Sequence, residues 1–156
     1  MAEKRVTLAD VAAREEASVI GVMTILPEET GKYGVVEAGT LSGGYAPIER
    51  IVEKPKPGTT SSRLGVVGRY VLSPRIFRHL RTMPPGAGGE IQLTDGIARL
   101  VDEEKVLAYA FDGRRYDCGN KLGYLEAMVD FGLKHPETGA GLARYLLQRG
   151  LTGAKP

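Results

Sequence analysis

Residues 18–26 read SVIGVMTIL, a nearly continuous run of apolar and β-branched side chains that Pro27 ends. Such a run predicts a strand buried on both faces, as in a sheet covered by helices. The chain must therefore carry enough apolar material to cover that strand twice. With 156 residues, 42% of them apolar, it suits one globular domain with a real core, and that domain is expected to run over residues 1–148 with a flexible tail at 149–156.

The elements around the run support this. Thr7 can cap a helix, with Asp10 three residues on, so Leu8 to Glu16 reads as a short helix. Gly34 to Glu37 and Ile48 to Glu53 read as two short strands joined by the turn LSGGYAP, a hairpin. Residues 64–72, LGVVGRYVL, are a further strand, and SPRIFRHLRTM follows with Ser73 placed as N-cap and Pro74 at the first helical position. Ile91, Leu93, Ile97, Leu100 and Val101 recur at helical spacing, residues 106–111 (VLAYAF) read as a strand, and KLGYLEAMVDFGLKH and TGAGLARYLLQR as amphipathic helices. Strands alternating with helices, plus one antiparallel hairpin, predict an α/β fold with a mixed sheet.

Several function classes fall away. A net charge of +2 with scattered basic residues points to no polyanionic partner, so neither nucleic acid nor a membrane is expected as partner. The single cysteine, Cys118, forms no internal disulfide framework and fits a reducing cytoplasm, and no stretch has the apolar length of a membrane span. His79 and His135 are isolated and read as structural. GAGGEIQLTD, residues 86–95, has neither a preceding strand nor the third fingerprint glycine nor a GKS or GKT triplet, so it reads as a loop entering a helix, with Glu90 near a pocket or an interface.

Two stretches carry possible chemistry. In IVEKPKPG, residues 51–58, a carboxylate and an ammonium stand side by side at a strand exit that Pro55 enforces. A salt bridge between them is a poor explanation, because successive strand residues face opposite ways. Strand exits of α/β sheets are where ligands bind, although on these eight residues alone solvated strand-end charges are the readier reading. In RRYDCGNKLGY, residues 114–124, Asp117 follows a strand-like FDGRRY and precedes a helix beginning near Asn120. An aspartate there can hold a magnesium ion whose other ligands are phosphate oxygens and water; plain helix capping is the alternative that the residues alone favour.

YGVVE (33–37), IVEKPKP (51–57), LGVVGRYVLSPRIF (64–77), PPGAGGEIQLTDGIARL (84–100) and RRYDCGNKLGYLEAMVDFGLKHP (114–136), in this order and spacing, resemble the C-terminal half of the bacterial UTP:glucose-1-phosphate uridylyltransferases, or UDP-glucose pyrophosphorylases. VEKP is shared across sugar nucleotidyltransferases; GEIQLTD with DCGNKLGY points to the glucose and uridine branch. The resemblance implies a mixed-sheet sugar nucleotidyltransferase fold, Rossmann-like and glycosyltransferase-A-like, truncated at its N-terminal nucleotide-binding half.

What the resemblance implies for residues is specific. Glu53 would accept hydrogen bonds from sugar hydroxyls and Lys54 would meet the sugar phosphate, roles that suit an acceptor-only carboxylate and a compact ammonium donor. Gly34 would let the backbone approach the sugar, and Asp117 would help hold Mg²⁺. Glucose-1-phosphate and UDP-glucose are the implied ligands, with UTP engaged only if a nucleotide-binding half is supplied, so the chain alone is expected to be inactive. A noncatalytic sugar-phosphate-binding or regulatory module is the alternative. A sheet cut between its halves would leave residues 18–26 as an unpaired edge, so a homo-oligomer is expected.

Overall fold

The computed structural model describes residues 6–56, 58–86 and 89–150. The described residues fall into two compact units, Met1–Asp112 and Gly113–Pro156. The sequence expectation of a frayed tail lies, for residues 151–156, outside the described residues, as do Pro57 and two residues of the GAGG loop.

In the first unit, helix α1 (Leu8–Glu15) starts as the sequence implies. The Thr7 hydroxyl accepts from the Asp10 backbone N–H, and the Asp10 carboxylate accepts from that of Thr7, a complete capping box. Strand β1 (Ser18–Thr24) follows, then a 3₁₀ turn (Pro27–Lys32), β2 (Gly34–Ala38), β3 (Tyr45–Glu53), β4 (Leu64–Val71), α2 (Ile76–Thr82), α3 (Leu93–Val101) and β5 (Val106–Ala110). Helix α2 begins later than expected. Ser73 and Pro74 form the turn ahead of it, and the Ser73 hydroxyl donates to Glu104 instead of accepting from a helix N–H.

The strands form one mixed sheet that closes on itself in the order β1-β4-β2-β3-β5. Strand β1 runs parallel to β5 and antiparallel to β4. The expected unpaired edge is therefore absent: β1 has a strand on each side. Strand β3 makes the closure by changing partner along its length. Ile48 to Glu53 pair with β2, while Tyr45 to Pro47 pair with β5.

Alternation along β1 sets the layers. Ile20 and Val22 point to the face where Ile97 and Leu100 of α3 and Ile76 of α2 pack, whereas Val19 joins Leu107 against Val11 of α1. Ile20, Val19 and Leu107 are at most 1% exposed. Each such fully buried side chain contributes roughly 1.5–3 kcal/mol of apolar transfer. Gly96 lets α3 approach α2, since a Cβ there would lie 3.0 Å from Leu80 Cδ2.

The second unit is a helix pair, α4 (Lys121–Lys134) and α5 (Gly139–Gln148). No strand precedes it: β5 ends at Ala110, and residues 111–116, expected to be strand-like, carry no β pairing. The two helices meet closely at glycines, a Cβ on Gly132 falling 2.8 Å from Leu142 Cδ2 and one on Gly139 2.4 Å from the Leu133 carbonyl oxygen. Leu122, Leu125, Met128 and Phe131 of α4 are more than half exposed. No helix among the described residues is long and apolar enough to cross a membrane.

Closure of the sheet is clamped by Glu15 at the end of α1. Its Oε1 accepts from the Tyr45 hydroxyl at 2.6 Å and its Oε2 from Lys105 Nζ at 3.0 Å, so one carboxylate ties α1 to the start of β3 and to the turn before β5. The Tyr45 hydroxyl first, then Lys105, hold the Glu15 carboxyl down to about 2. A lowered folded value means that the clamp stabilises fully above the ordinary 4.5 and is lost as pH falls through about 2. Thermal unfolding of Glu15→Gln beside the parent should show a deficit at neutral pH that shrinks between those two values. A deficit of constant size across that range would contradict the clamp.

Candidate functional site

The β2–β3 hairpin brings its two ends together so that Gly34 stands directly opposite Glu53. Its register follows from the apolar pattern, because Val36 and Ile51 must share the buried face. At that end the polar atoms converge. Glu53 Oε2 accepts from the Thr94 hydroxyl in the first turn of α3 at 2.7 Å. A Cβ on Gly34 would stand 3.1 Å from Glu53 Oε2, 3.4 Å from Thr94 Oγ1 and 3.6 Å from Val66 Cγ2. The absence of a side chain at Gly34, itself buried, thus lets Glu53 and Thr94 pack closely against its backbone.

Lys54 behaves differently from a continuing strand residue. Its φ is +44°, in the left-handed region, and its backbone N–H donates to the Tyr33 carbonyl at 3.0 Å. This turn cancels the alternation on which the sequence reading relied, and Lys54 Nζ comes to 3.6 Å from Glu53 Oε1. The two side chains face each other after all, a correction to the expectation that they point apart. The ammonium is 62% exposed and the carboxylate 28% exposed. Side by side they offer an acceptor for hydroxyls and a donor for an anion to one ligand.

Of the four residues singled out in the sequence, Gly34, Glu53 and Lys54 share this site. Asp117 belongs to the second unit. It is exposed, and its Oδ1 accepts from the Gly119 N–H at 3.1 Å, closing a turn before α4, whose N-cap Asn120 accepts from Gly123. A Cβ on Gly123 would lie 2.3 Å from the Asp117 carbonyl oxygen, so glycine there lets the Asp117 turn rest on the first turn of α4. Arg114 braces the same segment by donating to Glu126 and Asp130, and Tyr116 donates to Asp130. That bond from Tyr116, ahead of the Arg114 charge, lowers the Asp130 carboxyl. His79 is buried in α2; its Nε2 lies 3.3 Å from Glu103 Oε2 and makes no hydrogen bond among the described residues.

Thr94 was not legible as a site residue. The signal for it, a hydroxyl in the first turn of a helix that follows a glycine loop, also describes ordinary helix starts.

A family model described as nucleotidyl transferase matches residues 3–132. The UTP–glucose-1-phosphate uridylyltransferase of Staphylococcus epidermidis is 43% identical over 141 residues, covering 90% of this chain and 49% of that protein. The protein of the same name from Streptococcus pneumoniae is 43% identical over 144 residues, covering 92% and 48%. Among solved structures, a UTP-bound UGPase from Acinetobacter baumannii superposes with a TM-score of 0.80 at 37% identity, covering 90% of this chain and 48% of that one. A UDP-glucose pyrophosphorylase complexed with UDP-glucose gives 0.77 at 33% identity, covering 86% and 53%. The chain spans about half the length of the curated relatives it matches.

Nucleotidyl transferases generally use a divalent metal. Among the described residues no three His, Cys, Asp or Glu side chains gather as a metal site. Asp117 is exposed with one oxygen engaged by the Gly119 N–H, so what it could offer a metal is a single carboxylate.

Two substitutions test the local geometry. Thr94→Val removes the donor to Glu53 while keeping the side-chain shape, and should cost about 1–2 kcal/mol in chemical denaturation. Lys54→Gly should leave stability unchanged or raise it by up to about 1 kcal/mol, because glycine holds a left-handed φ without strain. A loss of stability in Lys54→Gly would mean that the ion pair, not the backbone, dominates at this position.

Proposed function

Because the chain belongs to the nucleotidyl transferase family, we propose that it forms the sugar-phosphate side of a UTP:glucose-1-phosphate uridylyltransferase. The observation that carries this reading is the convergence of the Gly34 backbone, the Glu53 carboxylate and the Lys54 ammonium at one strand end. Glu53 accepts hydrogen bonds from two sugar hydroxyls, held in place by Thr94, and Lys54 meets the phosphate of glucose-1-phosphate. In the reaction a phosphate oxygen of glucose-1-phosphate attacks the α-phosphorus of UTP, and pyrophosphate leaves. No covalent intermediate with the protein is needed.

This chain's residues contribute position and charge. Lys54 keeps the attacking phosphate oriented and offsets its negative charge, and Glu53 fixes the sugar so that the phosphate points one way. A divalent metal would supply further neutralisation of phosphate charge, and Asp117 is the carboxylate of the second unit that we assign to it as a ligand. Its 156 residues hold no GxGxxG or GxxxxGK stretch, so UTP is expected to need a nucleotide-binding half. Residues 1–148 act in this reading as one functional piece. A homo-oligomer goes with the same reading, supported by the exposed apolar side chains of α4, and light scattering at micromolar concentration should report a dimer or larger.

Isothermal titration is the central test. The chain should bind glucose-1-phosphate. Glu53→Ala should weaken binding by about 1–3 kcal/mol and blur discrimination between sugars. Lys54→Ala should weaken all sugar phosphates alike and lower the salt dependence of what remains. Pyrophosphate release should be undetectable with the chain alone and appear when the N-terminal half of the Staphylococcus epidermidis relative is added. Two alanine variants binding as tightly as the parent would overturn the site; binding without any turnover in the reconstituted pair would favour a noncatalytic module.

A further inference from the structure

Strand β4 does not pass β1 in regular register. Val22 pairs with Val66 but Ile20 pairs with Tyr70, so Gly21 alone stands opposite Val67, Gly68 and Arg69. Gly68 takes a φ of +73°, and a Cβ on Gly21 would meet Val67 Cγ2 at 3.2 Å and Arg69 Cβ at 3.3 Å. The bulge has a definite result. Continued without it, the register that pairs Val22 with Val66 would set Gly68 opposite Ile20; the extra residues set Tyr70 there instead.

That position matters because of the row it completes. Opposed residues of an antiparallel pair share a face, so Tyr70 lies on the face of Ile20, next after Val66 along β4. Val66 is the residue whose Cγ2 would touch a Cβ on Gly34. Tyr70 therefore borders the end of the sheet that holds Gly34 and Glu53. Its ring is 37% exposed, and burial first, then the Glu53 charge, raise its phenol above the ordinary 10.0. Its hydroxyl makes no hydrogen bond among the described residues.

We propose that Tyr70 is a further sugar-recognising residue of this site, its hydroxyl donating to a hexose oxygen beside Glu53. The inference rests on the sugar-phosphate reading above. Its chemistry fills a gap in that reading. A sugar hydroxyl that donates a hydrogen bond to Glu53 still has lone pairs to satisfy, and Glu53 cannot donate. The Thr94 hydroxyl already donates its hydrogen bond to Glu53, and Lys54 is assigned to the phosphate. Among the described residues the Tyr70 phenol is an uncommitted donor on the same sheet face as that carboxylate, and its ring offers an apolar wall to the C–H face of a pyranose.

Tyr70→Phe keeps the ring and removes the hydroxyl. The parent and this variant are titrated with glucose-1-phosphate and, separately, with inorganic phosphate, and their melting temperatures are compared. Glucose-1-phosphate affinity should fall roughly three- to tenfold while phosphate affinity and melting temperature stay as in the parent. Equal affinity of parent and variant for glucose-1-phosphate overturns the role of Tyr70 and leaves the sugar-phosphate site standing. Equal loss of sugar phosphate and inorganic phosphate overturns it too, since the hydroxyl would then act through the phosphate. A parent that binds inorganic phosphate but gains nothing from the sugar overturns the underlying reading and this proposal with it.

Discussion

Everything in the first unit depends on β1 being paired on both sides and covered on both faces. Its parallel partner β5 and antiparallel partner β4 satisfy its backbone, and the alternation Val19, Ile20, Val22 sends side chains to α1 on one face and to α2 and α3 on the other. A backbone group buried without a partner costs as much as a lost hydrogen bond, so a strand this apolar can exist only inside such a ladder. Once β1 is fixed, β4 is fixed against it, β2 against β4 and β3 against β2. The end where Gly34 and Glu53 meet inherits its position from that chain of pairings.

The apolar patterns made much of this legible in advance. The Thr7 capping box and the Asn120 cap rest on interactions within a few residues, the β2–β3 hairpin joins neighbouring segments, and the run at residues 18–26 announces its burial by composition alone. Closure of the sheet did not, because it needs Tyr45 to Pro47 to leave β2 and pair with β5, some 60 residues away in the chain. The expectation of an exposed edge at residues 18–26 failed for a like reason: its partners β4 and β5 come from about 50 and about 90 residues further along the chain. Ser73 followed by Pro74 looked like a helix start, yet the Ser73 hydroxyl and its N–H both serve the cluster of Ser18 and Glu104. A tertiary bond outbid a local one.

At the candidate site the limit was conformational. The argument that Glu53 and Lys54 face apart is sound for extended backbone and wrong here, because Lys54 leaves the extended region. Nothing in a single sequence announces a left-handed lysine. The same holds for Tyr70, whose place depends on a bulge that Gly21 and Gly68 permit but do not require. What the structure adds at Gly34 is a close contact: a Cβ there would press on Glu53 and Thr94, so glycine is what lets that carboxylate and hydroxyl pack against the strand.

The conformation of Lys54 also weighs stability against function. A left-handed backbone costs a non-glycine residue about 1–2 kcal/mol. What that strain obtains within the fold is an ion pair of 3.6 Å with an ammonium 62% exposed, and pairs so exposed are worth about 0–1 kcal/mol. The pair does not repay the strain. Glycine would hold the same backbone without steric strain, at some cost in conformational entropy, and the extended conformation would be open to lysine if the chain turned elsewhere. Stability alone therefore gives no reason for a lysine at this turn. A ligand that needs an ammonium beside a carboxylate does, because its binding energy enters on the same side of the balance, and a strained residue at a strand end is where such a requirement is expected to surface.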